Sequence, residues 1–324
     1  MRLVEIPKKD GKVRSLRIAP PRDKVIQKAL QLILEAIYEP KFSNLSHGFR
    51  PKRSTHSALK ILYHNGGNSN IAINGDITKC FDSIPHNIIM DTLKESIKCH
   101  RTLELIHKSL KVDSIFNGRK ISYTGRGTPQ GSVLSPLLAN IVLDKFDKYI
   151  EKYISNFNKG KARSQNREYH NLIQRRYKSK DPVQRRKLYL EAMSMDSTNY
   201  RDTNFKRMIY TRYADDFVIL IIGTFNEAYK IREDVKNFLA TLGLELNVDK
   251  TTVVSTLKGF NFLSAKCFRA SKRVFVKKPS IGKTYRVHRR LIINADLVHL
   301  IKTLESNKFV RKNHLNMVLA TSRR

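Results

Sequence analysis

The tetrapeptide Tyr-Ala-Asp-Asp at residues 213–216 constrains the fold of this chain more than any other stretch. Residues 207–212 and 217–222, on either side of it, are rich in β-branched and aromatic side chains. Such side chains favour strands, so the pattern predicts a β-hairpin whose tight turn carries Asp215 and Asp216. Ionised carboxylates beside an apolar run cost free energy unless a cation compensates them, and a bound metal ion is one candidate. The alternative is an ordinary polar hairpin turn, in which Asp is common.

The charge of the chain indicates the kind of partner it binds. Its 62 Lys and Arg residues oppose 28 Asp and Glu residues, which gives a formal net charge of +34. An excess of this size predicts a polyanionic partner, either nucleic acid or an anionic membrane surface. The longest apolar run, residues 217–222, is too short to span a bilayer. Nucleic acid is therefore the expected partner, and no membrane association is expected.

The cysteines and the N-terminus bear on the cellular compartment. Cys80, Cys99 and Cys267 lack the spacing of a zinc module or a disulfide framework, so a reducing compartment is expected. Glu5 and Asp10 interrupt the acid-free pattern of an organellar presequence, and no secretory signal is recognisable. A eukaryotic protein of this kind is expected in a mitochondrion or another organelle, either synthesised there or already processed. A bacterial one is expected in the cytoplasm.

Alternating strand and helix patterns fill the middle of the chain. A strand is predicted to end near Asp76, although a lone Asp at such a position is also a common turn former. The elements expected after it are a helix over 88–98, a hairpin at 117–118, a glycine-rich loop at 125–132 before an apolar helix, the hairpin at 213–216, a helix over 226–242 and a strand over 244–254. This order fits a split βαβ sheet with helices on one face, in which Asp76 and Asp215 can become neighbours.

Two basic segments flank the last part of this pattern. Residues 151–209 contain fifteen Lys and Arg and six acidic residues, together with several isolated tyrosines. We interpret them as a partly helical insertion that forms either a solvated face or a surface for RNA phosphates. Residues 271–324 contain fourteen Lys and Arg against Asp296 and Glu305. Periodic apolar residues between 291 and 304 predict at least one helix there.

Taken together, these motifs resemble the reverse transcriptase domain of group II intron-encoded proteins, a family that includes the intron maturases. Seven blocks carry the resemblance in the family's order: residues 6–14, 46–51, 76–82, 128–140, 213–216, 243–251 and 259–263. Relative to the family, the chain is expected to begin at the fingers block and to end within the thumb or the start of the maturase domain. Polymerase chemistry is therefore expected, without the flanking maturase and endonuclease segments.

The resemblance implies an α+β polymerase right hand. Its fingers and palm would be joined by a partial helical thumb, and the palm would be a split βαβ, ferredoxin-like sheet with helices on one face. The implied divisions are fingers at 1–70, the first part of the palm at 71–150, a basic insertion at 151–209, the second part of the palm with the YADD turn (residues 213–216) at 210–270, and a basic partial thumb at 271–324.

The implied activity is RNA-directed DNA polymerisation associated with intron splicing or mobility. Its partners would be an RNA template and primer, dNTPs and intron RNA. Two Mg²⁺ ions, or Mn²⁺ in their place, suit nucleotidyl transfer because hard cations select carboxylate oxygens. The implied catalytic residues and metal ligands are Asp76, Asp215 and Asp216. The alternative function is that of a catalytically idle RNA-binding protein, either a splicing factor or a ribonucleoprotein component.

The resemblance also implies the substrate contacts. Lys8 and Arg14 are expected to hold the triphosphate, and Gln130 and Lys250 are expected near the incoming nucleotide. Phe81 falls at the family's steric gate, where a ring would exclude a 2′-hydroxyl, although an ordinary core Phe is the alternative. The expected nucleic-acid contacts are Arg50, Lys52, Arg53, Gly131 and Arg212.

Overall fold

The chain is a mixture of strands and helices in the computed structural model, which describes residues 1–7, 13–122, 125–199, 202–270, 274–277, 284–287 and 290–295. The strands are β1 (Arg2–Pro7), β2 (Val13–Ile18), β3 (Ile71–Asp76), β4 (Ser114–Phe116), β5 (Arg119–Ile121), β6 (Arg207–Tyr213), β7 (Asp216–Ile222), β8 (Thr252–Ser255), β9 (Phe260–Phe262), β10 (Ala265–Arg269), β11 (Val274–Lys277), β12 (Thr284–Val287) and β13 (Leu291–Ala295). The helices are α1 (Pro21–Tyr38), α2 (Thr55–Asn65), α3 (Cys80–Ser83), α4 (His86–Ser96), α5 (His100–Leu110), α6 (Ser135–Phe157), α7 (Arg167–Lys178), α8 (Pro182–Ser194) and α9 (Phe225–Thr241). None of the described helices combines the length and the apolar content needed to cross a bilayer.

The palm sheet consists of four antiparallel strands in the order β6, β7, β3, β8. Residues 217–221 of β7 are all buried, as expected for a central strand covered on both faces. Along the chain the unit runs β3, α6, β6, β7, α9, β8, so its first strand lies between its third and fourth. This is the split βαβ, ferredoxin-like arrangement, and the predicted fold class is confirmed.

Helices α4, α6 and α9 contribute the main apolar core on one face of the palm sheet. Phe146 of α6 contacts two aromatic residues of the sheet edge-on, with ring centroids 5.4 Å from Phe217 and 5.8 Å from Tyr210. All three side chains are buried. Burying a side chain of this size contributes about 1.5–3 kcal/mol, so apolar contact is the main force that holds α6 against the sheet.

The opposite face of the palm sheet is covered as well. Leu62 of α2, Val218 and Leu220 of β7, and Leu291 of β13 belong to a second buried cluster there. Strands β13, β10 and β9 form a small antiparallel sheet that contributes to this cluster. The helices predicted to cover one face of the palm sheet are therefore α6 and α9. Helix α2 and the small sheet cover the other face.

Two predicted elements near the C-terminus differ from the structure. Residues 291–295 form β13, not the start of a helix, because this apolar run, with the β-branched Ile292 and Ile293, pairs with the edge of β10. The rest of that predicted helix lies outside the described residues. The strand predicted over 244–254 is limited to β8, because Thr251 N donates to Asn247 O at 2.8 Å and closes a turn before it.

The N-terminal sheet has the strand order β2, β1, β4, β5. Its β4–β5 hairpin turns at Asn117 and Gly118, whose φ angles are +47° and +76°, so the predicted Asn-Gly hairpin is confirmed. The turn between β1 and β2, including Lys8, lies outside the described residues, as does the side chain of Arg14. The triphosphate contacts assigned to these two residues stay predictions.

Candidate active site

Three acidic residues lie at one end of the palm sheet. Asp76 is the last residue of β3, and its partner in the antiparallel register is Asp216, the first residue of β7. Cα atoms of such partners lie about 4.5–5.5 Å apart. Asp215 occupies the turn between β6 and β7. The predicted adjacency of Asp76 to the YADD turn is confirmed.

The Asp76 carboxylate is held by two residues of the turn before β8. Asn247 Nδ2 and Lys250 Nζ each donate to its Oδ2 at 2.9 Å. The backbone of Asn247 also donates to Asp76 O at 2.8 Å. The hydrogen bond to Asp76 is the main cause that raises the pKa of Lys250. Lys250 therefore lies beside the acidic residues, and Asn247 fixes the orientation of the first carboxylate.

Among the three acidic residues, Asp216 has a clearly shifted pKa. Burial, followed by the charges of Asp215 and Asp76, raises the pKa of Asp216 to about 6, and Lys250 opposes this only in part. Within the described residues, no set of three or more His, Cys, Asp or Glu side chains already converges as the ligands of one metal ion. The donor chemistry nevertheless fits hard divalent cations, which prefer carboxylate oxygens and would relieve the repulsion felt by Asp216. A metal ion would compete with Lys250 for the Asp76 oxygen.

Asp216 is expected to make the stability of the metal-free protein depend on pH. A carboxyl whose folded pKa lies above its ordinary value binds its proton more tightly in the folded state than in the unfolded state. Ionisation of Asp216 should therefore destabilise the fold progressively from about pH 4 to pH 6, and fully above that window. In EDTA at about pH 7.5, Asp216→Asn should raise the free energy of unfolding by roughly 1–2 kcal/mol. Urea titrations followed by circular dichroism measure this change.

The same titrations at about pH 4.5 provide the control, because Asp216 is then mostly protonated in the folded state and the gain should fall to less than about half. Asp91→Asn, at an exposed position on α4, is the matched substitution and should change the stability by less than about 0.5 kcal/mol at either pH. An equal gain at both pH values would contradict the proposed effect of Asp216.

Arg212 lies beneath the YADD turn and is completely buried. Its Nε and Nη2 donate to the two carboxylate oxygens of Asp147 at 2.8 and 2.6 Å. Its Nη1 donates to the backbone O of Ala214 in the turn at 2.8 Å. Tyr210 Oη donates to the same Asp147 carboxylate at 2.7 Å. The predicted nucleic-acid contact of Arg212 is therefore wrong, because the buried ion pair leaves no surface for a ligand.

The YADD turn also packs closely against residues 45–48. His47 N donates to Arg212 O, and Arg212 N donates to Leu45 O, both at 2.9 Å. A Cβ atom at Gly48 would overlap the backbone N of Ala214. Ala214 itself has a φ of +57°, a left-handed conformation that costs a residue with a side chain about 1 kcal/mol. Close backbone packing from both sides thus fixes the turn in this conformation.

The other predicted nucleic-acid contacts divide into buried and exposed residues. Arg50 is 7% exposed and donates to Glu39 and to the backbone O of Ser43 and Ser46. Its prediction as a ligand contact is wrong, because these bonds occupy the guanidinium. Lys52 is exposed, and Arg53 is half-buried with bonds to Asn44. Gly131 is exposed with a φ of +103°. Lys52, Arg53 and Gly131 stay predicted contacts.

Two predicted nucleotide contacts, Phe81 on α3 and Gln130 on the loop at 125–132, are brought together by hydrogen bonds between that loop and α3. Thr128 N donates to Phe81 O at 2.6 Å, and Gln130 Nε2 donates to Asp82 Oδ2 at 2.6 Å. The Phe81 ring is half-buried and packs edge-on against Phe49, with 6.0 Å between centroids. Phe49 is 56% exposed. Phe81 and Gln130 are thus held together in a partly open site, as a nucleotide contact requires.

Sequence reasoning missed the residues that hold the acidic residues in place. Asp147 lies on α6 among apolar residues, and an acid buried in that way signals an internal cation. Asn247 and Asp82 lie within the motif blocks, but nothing in the sequence assigns their partners. Contacts between residues so far apart in the chain become visible only in the folded protein.

Carboxylates at the adjoining ends of two central strands of a split βαβ sheet define the palm of a template-directed nucleic-acid polymerase. The chain belongs to the reverse transcriptase family, because the family described as Reverse transcriptase (RNA-dependent DNA polymerase) matches residues 6–267. Members of this family use divalent metal ions.

Two relatives are intron proteins, and the second of them is named as a group II intron-encoded protein. It is 37% identical over 321 residues to the COX1/OXI3 intron 1 protein of Saccharomyces cerevisiae, which covers 97% of this chain and 38% of that protein. It is 36% identical over 275 residues to the group II intron-encoded protein LtrA of Lactococcus lactis subsp. cremoris, which covers 81% of this chain and 46% of that protein. The predicted resemblance is confirmed, and the chain spans less than half the length of these curated relatives.

A solved structure of apo telomerase from Candida tropicalis, truncated from its C-terminal domain, has a similar fold. The TM-score is 0.50 at 14% sequence identity, and the match covers 82% of this chain and 52% of that one. At this identity the likeness concerns the fold alone, and it agrees with the polymerase right hand.

Proposed function

We propose that this chain is an RNA-directed DNA polymerase domain of the group II intron type, which extends a primer by nucleotidyl transfer from dNTPs. The observation that carries the proposal is the register of the palm sheet, in which Asp76 lies opposite Asp216 with Asp215 in the adjoining turn. The catalytically idle alternative is less well supported, because all three acidic residues are present and adjacent. We also propose a role in intron splicing or mobility, because the relatives that the chain matches are intron-encoded proteins.

Asp76, Asp215 and Asp216 are the residues that would hold two Mg²⁺ ions, or Mn²⁺ in their place. When bound, such ions activate the primer hydroxyl and neutralise the charge that develops on the phosphate. Asn247 orients the Asp76 carboxylate, and Lys250 supplies a positive charge beside it. The Asp82 carboxylate accepts a hydrogen bond from the side-chain amide N–H of Gln130. In the proposed complex, Gln130 Oε1 would therefore accept a hydrogen bond from the nucleotide.

RNA template, primer and intron RNA are the partners that fit the formal charge of +34. Lys52, Arg53 and Gly131 are the remaining candidates for contacts with the template or primer. Because one relative is the product of a yeast COX1 intron, we assign the protein to the mitochondrion or a similar organelle if its source is eukaryotic.

Primer extension tests the proposal. The assay uses an RNA template with an annealed DNA primer, dNTPs and Mg²⁺, and extension that stops on addition of EDTA is the expected result. A folded protein that binds structured RNA without Mg²⁺ but never extends the primer would support the idle RNA-binding function instead.

Phe81→Ala is expected to weaken the discrimination against ribonucleotides. Removal of the ring would open space below the sugar, and steric rejection of this kind is worth about 10–200-fold in kcat/KM. We therefore expect the ratio of kcat/KM for dNTP over rNTP to fall by at least about 10-fold, measured by single-nucleotide extension. Phe225→Ala, on the surface of α9, is the matched control and should leave the ratio unchanged. An unchanged ratio in Phe81→Ala would assign Phe81 to the core.

A further inference from the structure

The insertion between α6 and β6 is a closed side arm. Lys159 and Lys206 exchange backbone hydrogen bonds of 3.0 and 3.2 Å, so the two ends of the segment meet where it leaves the palm. Further out, Asn166 N donates to Ser197 O at 3.0 Å. Where the segment joins the palm, the Arg207 guanidinium donates to the backbone O of Lys159 and of Gly160 at 2.6 Å each and holds the two ends together. We call residues 158–206 the basic arm.

Two capped helices form the outer part of the basic arm. The Asn166 side chain accepts from the backbone of Glu168 and begins α7, and the Asp181 side chain accepts from Val183 N and Gln184 N and begins α8. Each helix has the other as its main packing partner. Leu172 of α7 and Ala192 of α8 are buried. The outer faces of both helices are thus left to solvent.

Those outer faces are strongly basic. Residues 167–194 contain eight Lys and Arg against three acidic residues. The cations that are exposed to solvent are Arg167, Arg175, Lys178, Lys180, Arg185, Arg186 and Lys187. Among the described residues, none of these seven forms an ion pair with a carboxylate of the chain. Their charge is available to an external anion.

Two tyrosines of the outer helices, Tyr177 on α7 and Tyr189 on α8, contact the same cation. The Arg176 guanidinium lies 4.8 Å from the ring centroid of Tyr189 and 5.8 Å from that of Tyr177. One cation thus already contacts both rings. A surface of exposed cations, on which Arg176 already contacts both tyrosine rings, suits the phosphates of a nucleic-acid helix better than the bases of a single strand.

We propose that the basic arm binds the phosphate backbone of helical RNA, at a surface separate from the active site. The arm leaves the palm at Arg207, whereas the YADD turn is at the other end of β6, so the two are separated by the length of that strand, roughly 20 Å. This inference rests on the proposed function only in taking RNA as the substrate class. It assigns the arm a second RNA segment, outside the template strand that is being copied.

The test variant replaces four of the exposed cations, Arg175, Arg185, Arg186 and Lys187, by Gln. Binding to a labelled RNA duplex of about 20 base pairs is measured by fluorescence anisotropy between about 50 and 300 mM KCl. Loss of four phosphate contacts should weaken binding by about 10–100-fold near 150 mM salt and should make the slope of log K against log salt shallower by about 3. Extension of a short template–primer should change by less than 2-fold.

A matched control removes the same charge from exposed positions elsewhere in the chain, at Lys98, Arg101, Lys230 and Lys236. An equal loss of binding in this control, or an unchanged salt slope in the arm variant, would overturn the proposal. A larger loss for a single strand than for the duplex would do so as well.

Substitution of two exposed apolar residues of the arm, Val183→Ser with Leu190→Ser, distinguishes a protein partner from RNA. Unchanged RNA binding by this double variant is expected. Loss of RNA binding in this variant, with binding retained in the four-cation variant, would contradict the phosphate site. Because binding and extension are read separately, absence of extension by the wild-type protein would refute the polymerase and leave the result for the arm intact.

Discussion

Asp215→Asn is expected to lower the rate of primer extension on an RNA template by at least about 1,000-fold, which corresponds to ~4 kcal/mol of transition-state stabilisation. Asn has nearly the size and shape of Asp but lacks the negative charge that holds a divalent cation. Asp215 lies in the turn between β6 and β7, next to Asp216, whose pKa it raises. The measurement is the single-turnover extension rate at saturating Mg²⁺ and dNTP.

Asp91→Asn on α4 is the matched control, because this Asp is exposed, pairs with Lys94 and does not belong to the palm sheet. Its extension rate should equal that of the unsubstituted protein. RNA binding by Asp215→Asn in the absence of Mg²⁺ should also be retained. An extension rate above about a tenth of the original would remove Asp215 from the catalytic set.

Asp147→Asn is expected to lower the free energy of unfolding by about 3–5 kcal/mol, because it leaves the Arg212 guanidinium buried without its counter-charge. Both side chains are at most 1% exposed, so bulk water does not screen the guanidinium charge that stays unpaired. Urea titration followed by circular dichroism measures the loss. Extension should decline as well, because Arg212 holds the backbone O of Ala214 in the YADD turn.

The double variant Asp147→Asn with Arg212→Gln separates the ion pair from the packing around it. Removing both charges should cost less than Asp147→Asn alone, since no uncompensated charge then stays buried. Glu95→Gln provides the contrast, because it breaks the exposed ion pair with Lys145 and should cost less than about 1 kcal/mol. Equal costs for Asp147→Asn and Glu95→Gln would contradict the importance assigned to the buried pair.

The sequence was sufficient for the palm and for the position of its acidic residues. The apolar run after residue 216 and the strand before Asp76 have clear strand patterns, and the order of elements allows few sheet topologies. Asp76 and the YADD turn become neighbours as soon as β3 and β7 are paired. For this reason the acidic residues were predictable without any knowledge of side-chain contacts.

Arg50 and Arg212 were not predictable in the same way. A basic residue in a basic chain is normally exposed. The side chain's charge does not reveal that its partner in the folded protein is Glu39 or Asp147. Their burial depends on partners that lie 11 and 65 positions away in the chain. Long-range ion pairs of this kind are set by the tertiary fold and leave no local pattern.

The start of β13 illustrates a further limit of sequence patterns. Leu291 and the residues after it satisfy a helical spacing as well as a strand run, and the choice depends on whether an open strand edge is near. The edge of β10 supplies the pairing partner. Tertiary contact thus decides between two local conformations that the sequence allows equally.

The backbone contact between Gly48 and Ala214 restricts how this region of the chain can move. Because the segment at 45–48 is bonded to Arg212 and leaves no space for a side chain, this segment and the YADD turn should travel as one rigid body. Any closure over an incoming nucleotide must then hinge further out, towards the sheet of β1, β2, β4 and β5. In the proposed polymerase, motion is therefore expected in that outer sheet and not at the YADD turn.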